Sequence, residues 1–475
     1  MSLQLRSWEE IEAYFNDMNI DPRKLACGCS VKIDLDRVVY PALREIRGPL
    51  EAKGIALAAR EDADISLKYG EPKIMRRIYR SNEPSVNGLR EFNPERAITL
   101  TSIYRVHDPE VLKQRWLNLY EQIAAQGVRM TVGKGHTIEA YSKDDEFTLF
   151  DFYKTGDGRE DPTGYLVVNN DTIQLIDPTL DLRDEAQIAT AFSNALNDLF
   201  SLGAVENLRL YPVYAAPDPT LREALLENMS AYAERYDMEL VEQEPVSERT
   251  LLLGVTAFGE TGKRTPTFYD HLERGDRILV HRPLGDLAPI NLYIDGLIMG
   301  PDYLGELGFD PEALREMKDQ VIEVMSRPNL EVGRLINRYS PAFDESFDPD
   351  RHIKVTGDLS GPGIRIFQEI AELAGVDVDL EEIPIQYERA VQVATEQFII
   401  PNGTSGTNGA VAIIASERVI EQVRRELEAL DYDPQVIGTV TAKRAGMGTL
   451  SVPEIARRYI ADWPEDFRIR DAGGK

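Results

Sequence analysis

Ala26-Cys27-Gly28-Cys29-Ser30-Val31-Lys32 carries both thiols of this 475-residue chain, one glycine apart. A disulfide across that spacing is strained, and a structural zinc site needs four ligands. No second cysteine pair exists, and the five histidines lie far away in sequence. What remains for the pair is a nucleophile or a carrier of a soft atom, since a thiolate reacts well even when sparse. Lys32 would lower a thiol pKa or hold a phosphate; the residues alone leave open a plain turn of small residues. Three aspartates also stand out: Asp161 after Gly156-Asp157-Gly158, Asp198 on a helix, and Asp358 in Gly357-Asp358-Leu359-Ser360-Gly361-Pro362-Gly363. Carboxylates from separate segments suit Mg²⁺ on nucleotide phosphates, because that ion keeps waters and takes few protein ligands. With 81 acidic residues in the chain, each aspartate alone reads equally as a surface group. At Ser360, Gly361 and Gly363, glycine lets backbone N–H groups approach a phosphate, and the following helix turns its positive end toward the anion. Gly133-Lys134-Gly135-His136 resembles half a phosphate loop but lacks the rest, and reads as a turn.

The elements that position these residues follow from apolar periodicity. Helices are expected at residues 7–18 and 35–47, tethering the cysteine loop at both ends, and at 108–126. Strands are expected at 97–104 and 147–152. Two apolar runs, 165–168 and 172–176, flank Asn169-Asn170-Asp171 and predict a hairpin ending at Asp177. A helix at 184–202 follows, stopped by Gly203, with Asn194 and Asp198 four apart and so on one side. Strands at 208–214 and 250–257 enclose a helix at 221–236. After a connector at 266–274, a second unit begins at Asp276, with strands at 277–281 and 411–415 and helices at 311–325, 364–374 and 417–430. A polar loop, Asn402-Gly403-Thr404-Ser405-Gly406-Thr407-Asn408-Gly409, lies before the later strand. The pattern is α+β, sheets with helices packed on one face.

A chain of this length exceeds a single core, so two or three domains are expected. Net charge is −28, with no basic stripe, which argues against nucleic acid. No apolar run is long enough to span a membrane, and Trp8-Glu9-Glu10-Ile11-Glu12 stands where a signal peptide would be apolar. Sparse cysteine points to the cytoplasm.

As an ordered set, Cys27-Gly28-Cys29, Arg159-Glu160-Asp161, Asp177, Asn194-Ala195-Leu196-Asn197-Asp198-Leu199-Phe200, Arg282-Pro283-Leu284-Gly285, Asp358 to Gly363 and Thr404-Ser405-Gly406 resemble the selenophosphate synthetase family. That family sits within the aminoimidazole ribonucleotide synthetase-like ATP-binding superfamily. The resemblance implies a two-domain α+β protomer and a homodimer joined through the first-domain sheets. It implies ATP-dependent conversion of selenide to selenophosphate, with AMP and phosphate released, or the sulfur counterpart giving thiophosphate. Cys27 then matches the reactive cysteine and Lys32 stands nearest to its essential lysine. Asp161, Asp198 and Asp358 match the Mg²⁺ ligands, while Asp177 and Asn194 match positions lining the nucleotide site.

Departures accompany the matches. Ser30 and Val31 separate Lys32 from the second cysteine, where the family has none between, and Glu242-Gln243-Glu244-Pro245 replaces a glycine-glycine-histidine turn. About a hundred residues before Asp161 have no family counterpart. The expected organisation is therefore an N-terminal segment with the cysteine loop at 1–47, an insertion at 48–156, an ATP-binding and dimerisation domain at 157–265, and a C-terminal α+β domain at 276–475. Two other readings stand beside this one: another ATP-using enzyme of the superfamily acting on a carbonyl or amide, and a nucleotide-binding regulatory protein without catalysis.

Overall fold

The structure, a computed structural model, describes residues 7–18, 20, 22, 131–132, 136–141 and 163–470, apart from 174, 242, 244, 246–250, 398, 401, 407, 462 and 464–466. Cys27, Cys29, Lys32 and Asp161 lie outside the described residues, as do the helices expected at 35–47 and 108–126 and the strands expected at 97–104 and 147–152.

Two sheets organise an α+β fold. The first has six strands in the order β1-β2-β3-β6-β4-β5: β1 (Thr131–Val132), β2 (His136–Tyr141), β3 (Gly164–Ile173), β4 (Glu206–Pro212), β5 (Glu239–Leu240) and β6 (Leu253–Thr261). The segment read as an insertion thus contributes β1 and β2, with β2 pairing antiparallel along β3. The second sheet has seven strands in the order β13-β12-β9-β11-β7-β10-β8: β7 (Arg277–Val280), β8 (Val355–Asp358), β9 (Val376–Leu380), β10 (Val411–Ala415), β11 (Gln435–Lys443), β12 (Leu450–Val452) and β13 (Arg468–Ile469). The helices are α1 (Trp8–Asn16), α2 (Glu185–Ser201), α3 (Pro219–Arg235), α4 (Leu287–Met299), α5 (Pro301–Glu306), α6 (Pro311–Met325), α7 (Leu330–Arg338), α8 (Arg365–Ala374), α9 (Glu388–Glu396) and α10 (Glu417–Ala429). No helix of the described residues is long and apolar enough to cross a membrane.

The expected hairpin around Asn169-Asn170-Asp171 is instead one continuous strand. β3 pairs antiparallel with β6 from Tyr165 opposite Thr261 to Ile173 opposite Leu253, with Asp171 opposite Val255. The triplet has turn chemistry, but an uninterrupted ladder satisfies its backbone and the strand's alternation divides its side chains. Asn169 and Asp171 reach α2, while Asn170 bonds Thr256 at 2.6 Å.

α2 is the central element. Asp184 caps it by accepting from Ala186 N at 3.0 Å. Its Phe192, Leu196 and Leu199 pack with Val167, Leu210, Val255 and Ala257 of the first sheet. Its other side meets the second unit: Gly333 of α7 lies so close that a Cβ there would stand 2.9 Å from Phe200 Cβ, and Thr356 of β8 donates its hydroxyl to Ser201 O. The second sheet is covered on both faces, beyond the one-face arrangement expected. In β10, Ala412 and Ile414 join the core built with α4, α6 and α8, while Val411, Ile413 and Ala415 join the core with α7 and α10. An unbroken apolar strand has no solvent face to offer.

Candidate active site

Asn194, Asn197, Asp198 and Ser201 recur at i, i+3, i+4 and i+7 and form a polar stripe along the otherwise apolar α2. Three carboxylates, Asp198 on the stripe and Asp171 and Asp358 on two strands, each take one asparagine amide. Asp171 of β3 accepts from Asn194 Nδ2 at 2.5 Å. Asp198 of α2 accepts from Asn169 Nδ2 at 2.7 Å. Asp358, at the end of β8, accepts from Asn197 Nδ2.

Asp171 and Asp358 share one electrostatic environment. The Asp171 carboxyl is pushed up to about 6, chiefly by burial, against the pull of bonds from Thr172 N and Asn194. Asp358 is likewise pushed up to about 6, first by burial and further by the negative charge of Asp171, while its bonds from Ser360 and Asn197 act the other way. Among the described residues neither carboxylate is in a salt bridge. Two buried carboxylates, one of which raises the pKa of the other, form a place where a cation is favourable. No group of three His, Cys, Asp or Glu close enough to hold a metal ion occurs among the described residues. Asp171 and Asp358 are two carboxylates of the kind that suits Mg²⁺ bound mainly through substrate phosphates and water. Asp161 lies outside the described residues, and the carboxylate acting on Asp358 is Asp171, which the hairpin reading had left in a turn.

The loop after Asp358 differs from a phosphate cradle. Ser360 N donates to Asp358 Oδ1 at 3.0 Å, Gly361 N to Gly406 O at 2.9 Å, Gly363 N to Leu359 O at 3.0 Å and Ile364 N to Thr404 Oγ1 at 3.1 Å. The first N–H groups of α8 are also used, with Arg365 N bonding Pro362 O at 3.3 Å and Ile366 N bonding Gly363 O at 3.2 Å. These amides are committed within the protein, so the expected backbone contacts of Ser360, Gly361 and Gly363 to phosphate are not available in this arrangement. The glycines serve close approach instead: Gly361 and Gly363 have φ of 77° and 59°, and a Cβ on Gly363 would strike Thr404.

That approach clasps loop 402–409 over the site. Ser405 Oγ donates to Gly361 O at 2.7 Å, and Ser360 Oγ accepts from Gly409 N at 2.6 Å. Asn408 has φ of 51°, tolerated by asparagine. Its N–H donates to Asn194 Oδ1 at 3.0 Å and its side-chain amide to Met325 O and Arg327 O at 2.7 and 2.8 Å. Its carbonyl accepts from Arg282 Nη2 at 2.7 Å. Arg282, in the Arg282-Pro283-Leu284-Gly285 segment, is itself held by a bidentate pair with Asp286 at 2.9 and 2.8 Å, with both side chains buried.

Asp177 has a different surrounding. Its side chain is fully buried in an ion pair with Lys318 of α6, also fully buried, and accepts from Thr179 N at 2.8 Å. Burial works against the Lys318 charge, yet the Asp177 carboxylate outweighs it and holds the ammonium above its ordinary range. An oxygen pair so engaged ties the β3–α2 connection to α6. Asn194 bridges Asp171 to the loop at Asn408. Asp171, Asn197, Asn329, Asn408 and Asp286 were not singled out from sequence. The signal available for two of them was a helix-borne asparagine, Asn197, and the alternation of Asp171 with Asn169 along a strand.

No protein-family model matches the chain, and no curated protein matches it. Among solved structures it is similar to thiamine-monophosphate kinase from Stenotrophomonas maltophilia K279a, at 17% identity over 70% of this chain and 95% of that one, TM-score 0.45. It is similar to thiamine monophosphate kinase from Aquifex aeolicus, at 16% identity over 62% and 91%, TM-score 0.42. It is also similar to the E. coli hydrogenase maturation protein HypE, at 15% identity over 65% and 87%, TM-score 0.43. Likenesses of this size identify neither substrate nor reaction.

Proposed function

We propose that the chain is an ATP- and divalent-metal-dependent enzyme of the aminoimidazole ribonucleotide synthetase-like kind that transfers a phosphoryl group to a small chalcogenide, giving selenophosphate or thiophosphate. The observation that carries the ATP and metal part is the Asp171–Asp358 carboxylate pair, drawn from separate sheets, both raised in pKa by burial and Asp358 further by the charge of Asp171. Mg²⁺ held there would offset charge on phosphate oxygens, which is most of what phosphoryl transfer asks of a protein. The chain's own residues do the rest: Asn194 and Asn197 orient the two carboxylates, Asn169 orients Asp198, and loop 402–409, fastened by Arg282 and Ser360, limits water beside them. Asp177 enters this reading as a buried ion-pair partner rather than a nucleotide contact.

The chalcogenide part rests on the Cys27-Gly28-Cys29 loop and the ordered motifs that resemble the selenophosphate synthetase family. Cys27 would hold the chalcogenide beside the phosphoryl group without bonding to it covalently, so that the chalcogenide itself attacks phosphorus, and Lys32 would offset the negative charge there. A homodimer follows from the same resemblance, and a cytoplasmic setting from the sparse cysteine. The test is anaerobic incubation with ATP, Mg²⁺ and either selenide or sulfide, followed by phosphorus NMR. A chalcogen-bonded phosphorus signal with donor-dependent AMP is expected, and Cys27→Ser abolishes it. Donor-independent turnover that survives Cys27→Ser would move the acceptor to a carbonyl or amide substrate, and ATP binding without any turnover would make the chain a regulatory protein.

A further inference from the structure

Asn197, one residue before Asp198 on α2, reaches Asp358 from within the core. It is fully inaccessible, and Asn329, just before α7, is 4% exposed. An amide in such a place costs free energy unless both its ends are bonded, and here they are. Asn197 Nδ2 donates to Asp358 Oδ1, with longer approaches of 3.4 Å to Ser360 Oγ and Gly409 O. Asn197 Oδ1 accepts from Asn329 Nδ2, which also reaches Gly409 O at 3.2 Å. The orientation of the Asn197 amide is dictated by chemistry, since an ionised carboxylate only accepts.

The consequence falls on Asp358. Its Oδ1 receives three donors: Asn197 Nδ2, Ser360 N at 3.0 Å and Ser360 Oγ at 2.9 Å. No donor from the described residues reaches Oδ2. The carboxylate is thus turned so that one oxygen is saturated by protein and the other keeps its lone pairs.

We propose that Asn197, itself held by Asn329, is a positioning residue that fixes the rotation of the Asp358 carboxylate and reserves Oδ2 for a divalent cation. The inference rests on the reading of Asp171 and Asp358 as the metal-binding pair. It also makes the cation site dependent on how the two sheets dock, because Asn197 belongs to the helix on the first sheet and Asp358 to the edge strand of the second.

The test is a Mn²⁺ titration of the full chain, reading free Mn²⁺ by electron paramagnetic resonance, for the wild type, Asp358→Asn, Asn197→Leu and Asn329→Ala, with thermal unfolding measured alongside without metal. Asn197→Leu keeps the number and branching of side-chain heavy atoms and removes the amide; Asn329→Ala leaves Asn197 in place but releases its far end. We expect the Mn²⁺ dissociation constant to rise about 10- to 100-fold in Asn197→Leu, the range for losing an outer partner of a metal ligand, and by a smaller factor in Asn329→Ala. A purely structural role would lower the unfolding temperature and leave the Mn²⁺ constant of the folded protein at the wild-type value, which would overturn the inference. Should Asn197→Leu fail to fold, Asn329→Ala decides by the same criterion. If Asp358→Asn binds Mn²⁺ as tightly as the wild type, the metal reading itself falls; if only Asp358→Asn is weakened, the metal reading stands and the positioning role of Asn197 is refuted.

Discussion

Asp171 shows how one side chain changes its meaning with its surroundings. In a turn it would be a solvated surface group; on β3, facing α2, it is half-buried beside Asp358 and resists ionisation. Both carboxyls sit near 6 when folded and near 4 when unfolded, so between those values the folded state binds the extra protons. Stability of the metal-free chain therefore falls as pH rises from about 4 to about 6 on their account. Asp358→Asn removes one of the two, so the variant should gain stability relative to the wild type across that interval. Urea denaturation at several pH values checks this; a stability difference that stays constant with pH would show that the pair is not coupled to folding as described. Addition of Mg²⁺ or Mn²⁺ above that interval should restabilise the wild type and not the variant.

At the scale of elements, the buried Lys318–Asp177 pair joins α6 to the β3–α2 connection. Asp177→Asn removes the buried one of the two carboxylates paired with the Lys318 ammonium and leaves the more exposed Asp319 at 2.8 Å, so it is expected to cost less than the about 3–5 kcal/mol of a wholly unpaired buried charge, while the ATP KM of the folded protein stays close to wild type. A raised KM with unchanged stability would return Asp177 to the nucleotide site. Gly363→Ala places a methyl against Thr404 at a left-handed backbone position, so it should lower the unfolding temperature and loosen loop 402–409, detectable as faster amide exchange there. Much of this level was legible from sequence. α6 and β10 begin and end where periodicity places them, and α2 lies within a residue of its expected ends, because each is long, strongly patterned and punctuated by a cap or glycine. β3 was not legible, since three polar residues with turn propensity are held extended by β6 and α2, with β2 pairing at Asn169. The loop after Asp358 was legible as glycine-rich but not in purpose: whether its N–H groups face an anion or another loop depends on residues 402–409, some forty positions away.

For the whole molecule, the candidate site exists only where the sheets meet. α2 carries Asn194, Asn197 and Asp198 on the first sheet, and β8, α7 and loop 402–409 bring Asp358, Asn329 and Asn408 from the second. Asp198, Asp358 and Asn194 were readable as candidates from spacing and glycine context, whereas the partners that orient them come from distant segments and leave only isolated asparagines in the sequence. Because a ligand bridging the two sheets binds the folded state alone, MgATP at about 100 times its dissociation constant should stabilise the chain by about 2.7 kcal/mol, seen as an upward shift of the unfolding transition that ATP without metal does not produce. The most direct measurement is calorimetric titration of a non-hydrolysable ATP analogue into the wild type and Asp171→Asn, with and without Mg²⁺. Binding to the wild type that requires Mg²⁺, weakened about 100-fold or more by Asp171→Asn, is the expected result. Equal binding by both proteins, or binding indifferent to Mg²⁺, would contradict a metal–nucleotide site built on Asp171 and Asp358.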